Sequence, residues 1–486
     1  MKNIILLLLV ILSQVLSEKS YANIADNPYH KVVSNFTEHK VFSGAVLVAK
    51  DGKIVFERAY GLANETWQVP NAIDTKFNIA SLTKSMTALL VIKLVQEEKL
   101  SLSDTVEKYL PYFPKDKARK ITIRDLLGHR SGLPRQFVLP GWKEGKYDRF
   151  NNKIEYAKLI GDLALTSEPG KRYQYTNLGY FLLGLIVEEA TNTAYESALE
   201  HYIFSPLKMN NTGTVAYKKI IEKHATGYRI AEFGGYQRPA FLNVEFLFWA
   251  EGNIYSTVGD ILKFEQALYQ NIILDEQHRK ILLSKDNGFS WSVQPWKINS
   301  SAPELTSISW GGEIPGYSSF LLRLTDEKNT VIILSNNAVN EVEKRRLASE
   351  LAAVLYNEET SLTKLPLSFA LTQALFNNEL DKKITELQGH VNDYIVDESI
   401  ATMGLQQMWG GELAKAISIL SFNSQILPDS PFAHDHLATA FEEQKQFKKA
   451  LQSTKRALVL LPNNQYLKNK ITRLTSTIQK GFLDEL

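Results

Sequence analysis

The feature that most limits how this chain can fold is the placement of its strand-forming stretches, one at residues 43–61 and the others at 307–337. The first, SGAVLVAKDGKIVFERAYG, puts two apolar-rich runs on either side of Asp51-Gly52. That pair is favoured in a two-residue hairpin turn, where both central residues take positive φ. The second block holds SISWGG, SSFLLRLT and VIILSNN, separated by turn residues. Between the blocks, apolar residues recur at helical spacing, as in SMTALLVIKLVQEEKL and NLGYFLLGLIVEEATN. Strands at both ends with helices inserted between them predict one α+β domain over residues 26–357.

From about residue 358 the strand signals stop and a self-similarity of 34 residues begins. Gly404 maps to Ala438, Ala416 to Ala450 and Pro428 to Pro462. Small residues let two helices approach closely, and a proline closes the unit. Thirty-four residues is the period of the tetratricopeptide repeat, which the second copy resembles; the first has Gln407 where an aromatic is usual. The expectation is a helical linker or degenerate repeat over 358–400, then an all-α tetratricopeptide-like domain over 401–486. So short a repeat array needs support from the preceding α+β domain or from a protein partner.

The chain begins MKNIILLLLVILSQVLSEKSYAN. A lysine, a short apolar run and the small residues Ser20 and Ala22 read as a secretory signal peptide over residues 1–22, so a secreted or periplasmic protein is expected. The apolar run is shorter than the roughly 20 residues that a membrane span requires. The formal net charge of +2 gives no case for nucleic acid as a partner. There is no cysteine, which excludes disulfides and thiol nucleophiles. The nine histidines form no ligand cluster, so neither a metal nor a cofactor is expected.

The motif S-x-x-K occurs three times, at Ser81, Ser205 and Ser361. A serine hydroxyl is a poor nucleophile and needs an adjacent base. A lysine can serve if burial and nearby positive charge lower its pKa. On a helix, residues three apart share a face, and a serine opening the helix has free backbone N–H groups beside it. Ser81 and Lys84 meet these demands, because an apolar-periodic helix runs on from them. Pro366 follows Lys364 too closely for the Ser361 copy to sit within a helix, so that copy reads as a linker. Ser205, followed by Pro206, reads as a helix end.

Tyr-x-Asn also occurs three times. Tyr21 straddles the signal cleavage site and Tyr269 ends a helical pattern. Tyr175, with Asn177, lies in a turn-prone approach to a strong helix, where catalytic groups tend to sit. Trp-Gly-Gly occurs in the strand block at Trp310–Gly312 and in the tail at Trp409–Gly411. Only Ser81/Lys84, Tyr175/Asn177 and Trp310/Gly312 place all three elements in one domain.

SLTK, YTN and WGG, in this order, resemble the motifs of the serine β-lactamase and penicillin-binding superfamily, most closely its class C-like hydrolases, over roughly residues 30–350. LLGHRSGLP at 126–134 and GNIYSTVGDILKF at 252–264 are also similar to stretches of that family. The resemblance implies an antiparallel sheet flanked by helices, with an all-helical lobe. It implies Ser81 as nucleophile, Lys84 and Tyr175 sharing proton transfer, and Asn177 orienting Lys84 and the substrate. The oxyanion hole would be the backbone N–H groups of Ser81 and of Glu313. Trp310 stands where lactamases and transpeptidases carry a cation, and a Trp-x-Gly third motif is found in esterases of the superfamily. Cleavage of an ester or amide in a small molecule or short peptide is therefore the leading expectation. A D,D-peptidase, D-aminopeptidase or β-lactamase is one alternative, and a non-catalytic scaffold with a partner-binding tail is another. Arg135, Arg149 and Arg172 are candidates to meet a substrate carboxylate.

Overall fold

The computed structural model describes residues 25–136, 139, 152–216, 218–230, 236–237, 248–297, 304–337, 339, 341–360, 370–371, 373–374, 377, 379–387, 393–409, 412–462 and 464–484. The segment read as a signal peptide, the Ser361–Lys364 copy and Arg149 lie outside these residues. The chain divides into two compact units. One comprises residues up to 339 with 344–364; the other comprises 340–343 with 365–486.

A six-stranded antiparallel sheet organises the first unit. Its strands are β1 (Gly44–Lys50), β2 (Lys53–Tyr60), β3 (Ser292–Trp296), β4 (Leu305–Ile314), β5 (Tyr317–Leu324) and β6 (Asn329–Ser335), in the spatial order β3-β4-β5-β6-β1-β2. Asp51 and Gly52 form the β1–β2 turn with φ of 46° and 71°, the left-handed pair that the Asp-Gly signal predicts. Strand β1 pairs with β6 from Gly44↔Ser335 to Ala49↔Thr330, which closes the two sequence-distant blocks into one sheet. At Gly44 a Cβ would stand 2.0 Å from the Leu334 carbonyl oxygen, so only glycine permits this approach. Strands β1 and β6 are buried on both faces and read as continuous apolar runs, whereas β2, at the edge, exposes Ile54 and Val55.

Helix α1 (Thr83–Gln96) supplies the central packing partner of the sheet. Eleven of its fourteen residues are buried, and its side chains share one apolar cluster with Ala45, Leu47, Leu321, Ile332 and Leu334. It is therefore apolar nearly all round, as a helix enclosed on every side must be. Helix α2 (Asn177–Thr191) is buried through its first eleven residues and ends at Asn192, which adopts the left-handed conformation common at helix C-termini. Both helices follow the apolar periodicity, although α1 stops at Gln96 rather than near Leu100.

The second unit is helical throughout its described residues. It includes Asp393–Trp409, Leu413–Ile426, Pro431–Glu443, Phe447–Leu460 and Gln465–Asp484, each packed on the next. Gly404 faces Leu420 so closely that a Cβ would stand 2.5 Å from its Cγ. Ala416, Ala438, Ala450 and Ala457 are fully buried. Ser430 caps the third of these helices through the Ala433 N–H, with Pro431 at the first helical position.

Candidate active site

Three separated segments meet at Ser81. The strand Phe77–Asn78 pairs with Ile254–Ser256, and the Ile79 N–H donates to the Ile254 carbonyl at 2.9 Å. The chain then turns sharply. Ala80 adopts φ of 49°, a left-handed conformation that costs a non-glycine residue about 1 kcal/mol. Ser81 follows in a single 3₁₀ turn, Ala80–Leu82, and α1 starts only at Thr83. Ser81 thus sits one turn ahead of the α-helix rather than as its first residue, and the strained corner presents its side chain while α1 stays buried.

Lys84 is completely buried. Its Nζ lies 3.0 Å from Ser81 Oγ and donates to the Glu251 carbonyl oxygen at 2.7 Å. Tyr175 Oη lies 2.9 Å from Ser81 Oγ. The Lys84 ammonium position is 5.2 Å from the Tyr175 ring centroid and 5.9 Å from that of Tyr180. Amine and phenol therefore both contact the one hydroxyl oxygen of Ser81.

Tyr175 is held from behind. Its ring packs on His129 at 4.5 Å between centroids, and the N–H of the next residue, Thr176, donates to His129 Nδ1 at 3.3 Å. The Thr176 hydroxyl donates to the Pro134 carbonyl at 2.6 Å and caps α2 by accepting the Leu178 N–H. His129 is fully enclosed. Burial, reinforced by the Lys84 charge, lowers its pKa to about 3, so it is a neutral ring at working pH. Asn177 is buried and its Oδ1 has no hydrogen-bond partner among the described residues; Lys84 bonds instead to Ser81 and the Glu251 carbonyl.

Strand β4 closes the other side. A Cβ on Gly312 would stand 2.3 Å from the Ser81 nitrogen and 2.7 Å from the Ile79 oxygen, so glycine is what lets the strand lie against the turn. Ser319 on β5 donates to the same Ile79 oxygen at 2.6 Å. Trp310 is more than an apolar wall: its indole N–H donates to the Ser81 carbonyl at 3.0 Å, and its ring lies 6.3 Å from that of Tyr175. The Glu313 carboxylate is partly exposed, 3.9 Å from the buried Lys344 ammonium, which also donates to the Gly312 carbonyl at 3.3 Å. Of the arginines proposed to meet a carboxylate, Arg135 is exposed near Tyr173, and Arg172 is exposed.

The other S-x-x-K serine, Ser205, follows a short helical turn and donates to Glu200, away from this constellation. Reading the sequence alone missed Glu251. Its carboxyl is buried beside Lys84, and burial, against the opposing pull of the Lys84 charge, raises its pKa to about 8. No motif marks it, because its placement depends on a residue 167 positions away along the chain. His129 was legible only as part of LLGHRSGLP. No group of three or more histidine and acidic residues suited to a metal occurs among the described residues.

The chain matches the Beta-lactamase family model over residues 30–355. It is 30% identical over 358 residues to Penicillin-binding protein 4* of Bacillus subtilis (strain 168), covering 68% of this chain and 76% of that protein. Among solved structures it is similar to D-amino acid amidase from Ochrobactrum anthropi SV3, with a TM-score of 0.58 at 24% identity over 68% of this chain and 99% of the other. It is also similar to EstCE1, a hydrolase with promiscuous acyltransferase activity, with a TM-score of 0.56 at 21% identity over 70% and 100% of the two chains. Those two likenesses describe the fold, and the first two matches fix the family. The chain belongs to the beta-lactamase family and is a serine hydrolase of it.

Proposed function

We propose that this protein cleaves an ester or amide through an acyl-enzyme on Ser81. The observation that carries the reading is the contact of Ser81 Oγ with both Tyr175 Oη at 2.9 Å and Lys84 Nζ at 3.0 Å. Ser81 Oγ attacks the substrate carbonyl and gives its proton to the Lys84–Tyr175 pair. The C–O or C–N bond then breaks, and the leaving group takes up that proton, which Tyr175 is placed to deliver. Water attacks the acyl-enzyme, one of its protons passes through the same pair to Ser81 Oγ, and the acid is released. The backbone N–H groups of Ser81 and Glu313 would hold the oxyanion, with Gly312 keeping the strand close enough for both to serve. Asn177, with its unpartnered Oδ1, would orient substrate.

Trp310 favours an ester or a weakly anionic amide over a β-lactam, because it offers a ring and one N–H that is already bonded to Ser81. A peptidase or amidase reading is the second choice. It is favoured by the likeness to a penicillin-binding protein and to a D-amino acid amidase. We further infer that residues 1–22 direct export and that the 401–486 helices are tetratricopeptide-like and bind a protein partner. The 34-residue spacing of buried small residues supports the repeat reading.

The test is to incubate the protein with p-nitrophenyl esters, nitrocefin and a fluorescent penicillin, alongside Ser81→Ala. Ester turnover with a mass increase on Ser81 is expected, and it should vanish in the variant. Equal turnover by both proteins, or no acyl adduct with any probe, would leave the scaffold reading in its place.

A further inference from the structure

A cavity of about 290 Å³ is lined among others by Arg130, Tyr173, Lys285, Asp286, Trp291 and Trp310. Two contacts tie it to the catalytic constellation. Trp310 donates its indole N–H to the Ser81 carbonyl. Tyr173 lies against His129, at 5.8 Å between centroids, and His129 is the ring that packs on Tyr175. Trp310 and Tyr173 thus belong both to this cavity and to the shell around Ser81 and Tyr175.

The lining has a definite chemistry. Tyr173 and Trp310 present aromatic surface. Arg130 and Lys285 are exposed, and neither forms an ion pair among the described residues. Asp286 supplies the one opposing carboxylate, so the lining carries a net positive charge. Trp291 is buried, and its indole N–H has no partner among the described residues, which adds an unused donor to the wall. Trp310 itself brings no charge. Charge recognition at this end of the site thus falls to Arg130, on the segment after helix Ile123–Leu127, and to Lys285, on the turn after helix Glu276–Leu282.

We propose that this cavity is a specificity subsite that takes a short substituent ending in a carboxylate, with Arg130 and Lys285 as its recognition groups. The inference rests on the reading of Ser81 as the acylated residue. The volume sits at the lower end of small-molecule sites, enough for a few methylenes and a carboxylate but not for a bulky ring system. The methylenes lie on Tyr173 and Trp310, and the carboxylate is met by the two cations. Guanidinium and ammonium groups form stronger hydrogen bonds with carboxylate than neutral donors do. Because both cations are open to solvent, the gain appears in KM and weakens with salt.

Two matched pairs of activated substrates test this. The first pair is the mono-p-nitrophenyl ester of adipic acid against p-nitrophenyl hexanoate, which puts the charge on the acyl side. The second is S-acetylthioglycolic acid against S-acetylthioglycolamide, which puts it on the leaving group. In one of the pairs kcat/KM for the anionic member is expected to be about tenfold higher, through KM. The ratio should fall toward one in the Arg130→Ala/Lys285→Ala double variant and at high salt, and should rise several-fold in Asp286→Asn. A merely structural role for these side chains would move both members of a pair together. If neither pair shows an anion preference, or if the preference survives the double variant, the inference is overturned. Labelling of Ser81 by a fluorophosphonate is run first. Failure of that step sinks the acyl-enzyme reading, whereas labelling without anion preference sinks the subsite alone.

Discussion

The two units of this chain build their interiors by different rules. In the second, each helix packs on the next along the sequence, with buried small residues such as Gly404, Ala416, Ala438 and Ala450 at the helix contacts. In the first, the decisive contacts join residues far apart: Ser81 to Tyr175, Ser81 to Trp310 and Lys84 to Glu251. In the second unit Lys470 reaches Asp435 and Thr439, while Ser399 Oγ, Asn423 Oδ1, His436 Nδ1 and Gln446 Oε1 are buried without a partner among the described residues. The first likewise leaves buried polar atoms unsatisfied around its chemistry, notably Glu251 Oε2, Asn177 Oδ1 and His129 Nε2. Left-handed Ala80 adds a local backbone cost at the corner that carries Ser81. The lesson is that the convergence of distant segments, rather than burial or orphaned polar atoms, separates the Ser81 region from the helical scaffold.

The sharpest way to break that contrast is to remove the oxygen on which the first unit converges. Ser81→Ala is expected to lower kcat/KM on p-nitrophenyl esters by at least about a thousandfold, with little change in thermal midpoint. A loss of less than tenfold would separate the strained corner from catalysis.

Glu251→Gln probes the cost of one orphan. The carboxyl titrates at about 8 when folded against 4.5 in the ordinary state. The unfolded chain therefore releases this proton first, and stability falls as pH rises from about 4.5 to 8. The loss is about 5 kcal/mol at its largest. The glutamine variant should lack that slope in denaturation measured across the window; a parallel slope in both proteins would show that Glu251 is not its source. His129 acts in the opposite sense. Its pKa is depressed from 6.5 to about 3, so its contribution is complete above pH 6.5 and is lost as pH falls toward 3.

Gly312→Ala tests whether close approach, rather than side-chain chemistry, defines the third motif. The added methyl would press on the Ser81 nitrogen and displace the strand. A fall of about 10²–10³ in kcat is expected, the scale of one lost oxyanion donor. KM should change much less, and an unchanged kcat would mean that the strand does not hold the oxyanion.

The smallest expected effect belongs to the second unit. Gly404→Val would drive a side chain into Leu420 and cost about 1–3 kcal/mol. A calorimetric scan should show the loss in a transition of the helical unit while kcat on the ester stays unchanged. A change in kcat equal to that of Gly312→Ala would erase the distinction between the units.

Much of this was legible before any coordinates. The Asp51-Gly52 hairpin, the two long helices and the three late strands follow from local period and turn chemistry, which act within a few residues. The pairing of Ser81 with Lys84 was legible for the same reason, since three residues span one turn of helix. The choice of Tyr175 among three Tyr-x-Asn matches, and of Trp310 among two Trp-Gly-Gly matches, rested on their sharing a domain. It needed no geometry.

What the amino-acid sequence determined by itself was therefore the inventory: which segments are strands and helices, and which few residues have the chemistry for acyl transfer. Tertiary structure alone decided the rest. It set Ser81 in a 3₁₀ turn ahead of its helix, aimed the Trp310 indole N–H at the Ser81 carbonyl, buried Glu251 against Lys84 and packed His129 behind Tyr175. The physical reason is range. Periodicity and turn preference are written over a handful of neighbouring residues, whereas burial, close approach and the electrostatic environment of a proton depend on partners that only the closed sheet and its enclosed helices bring together.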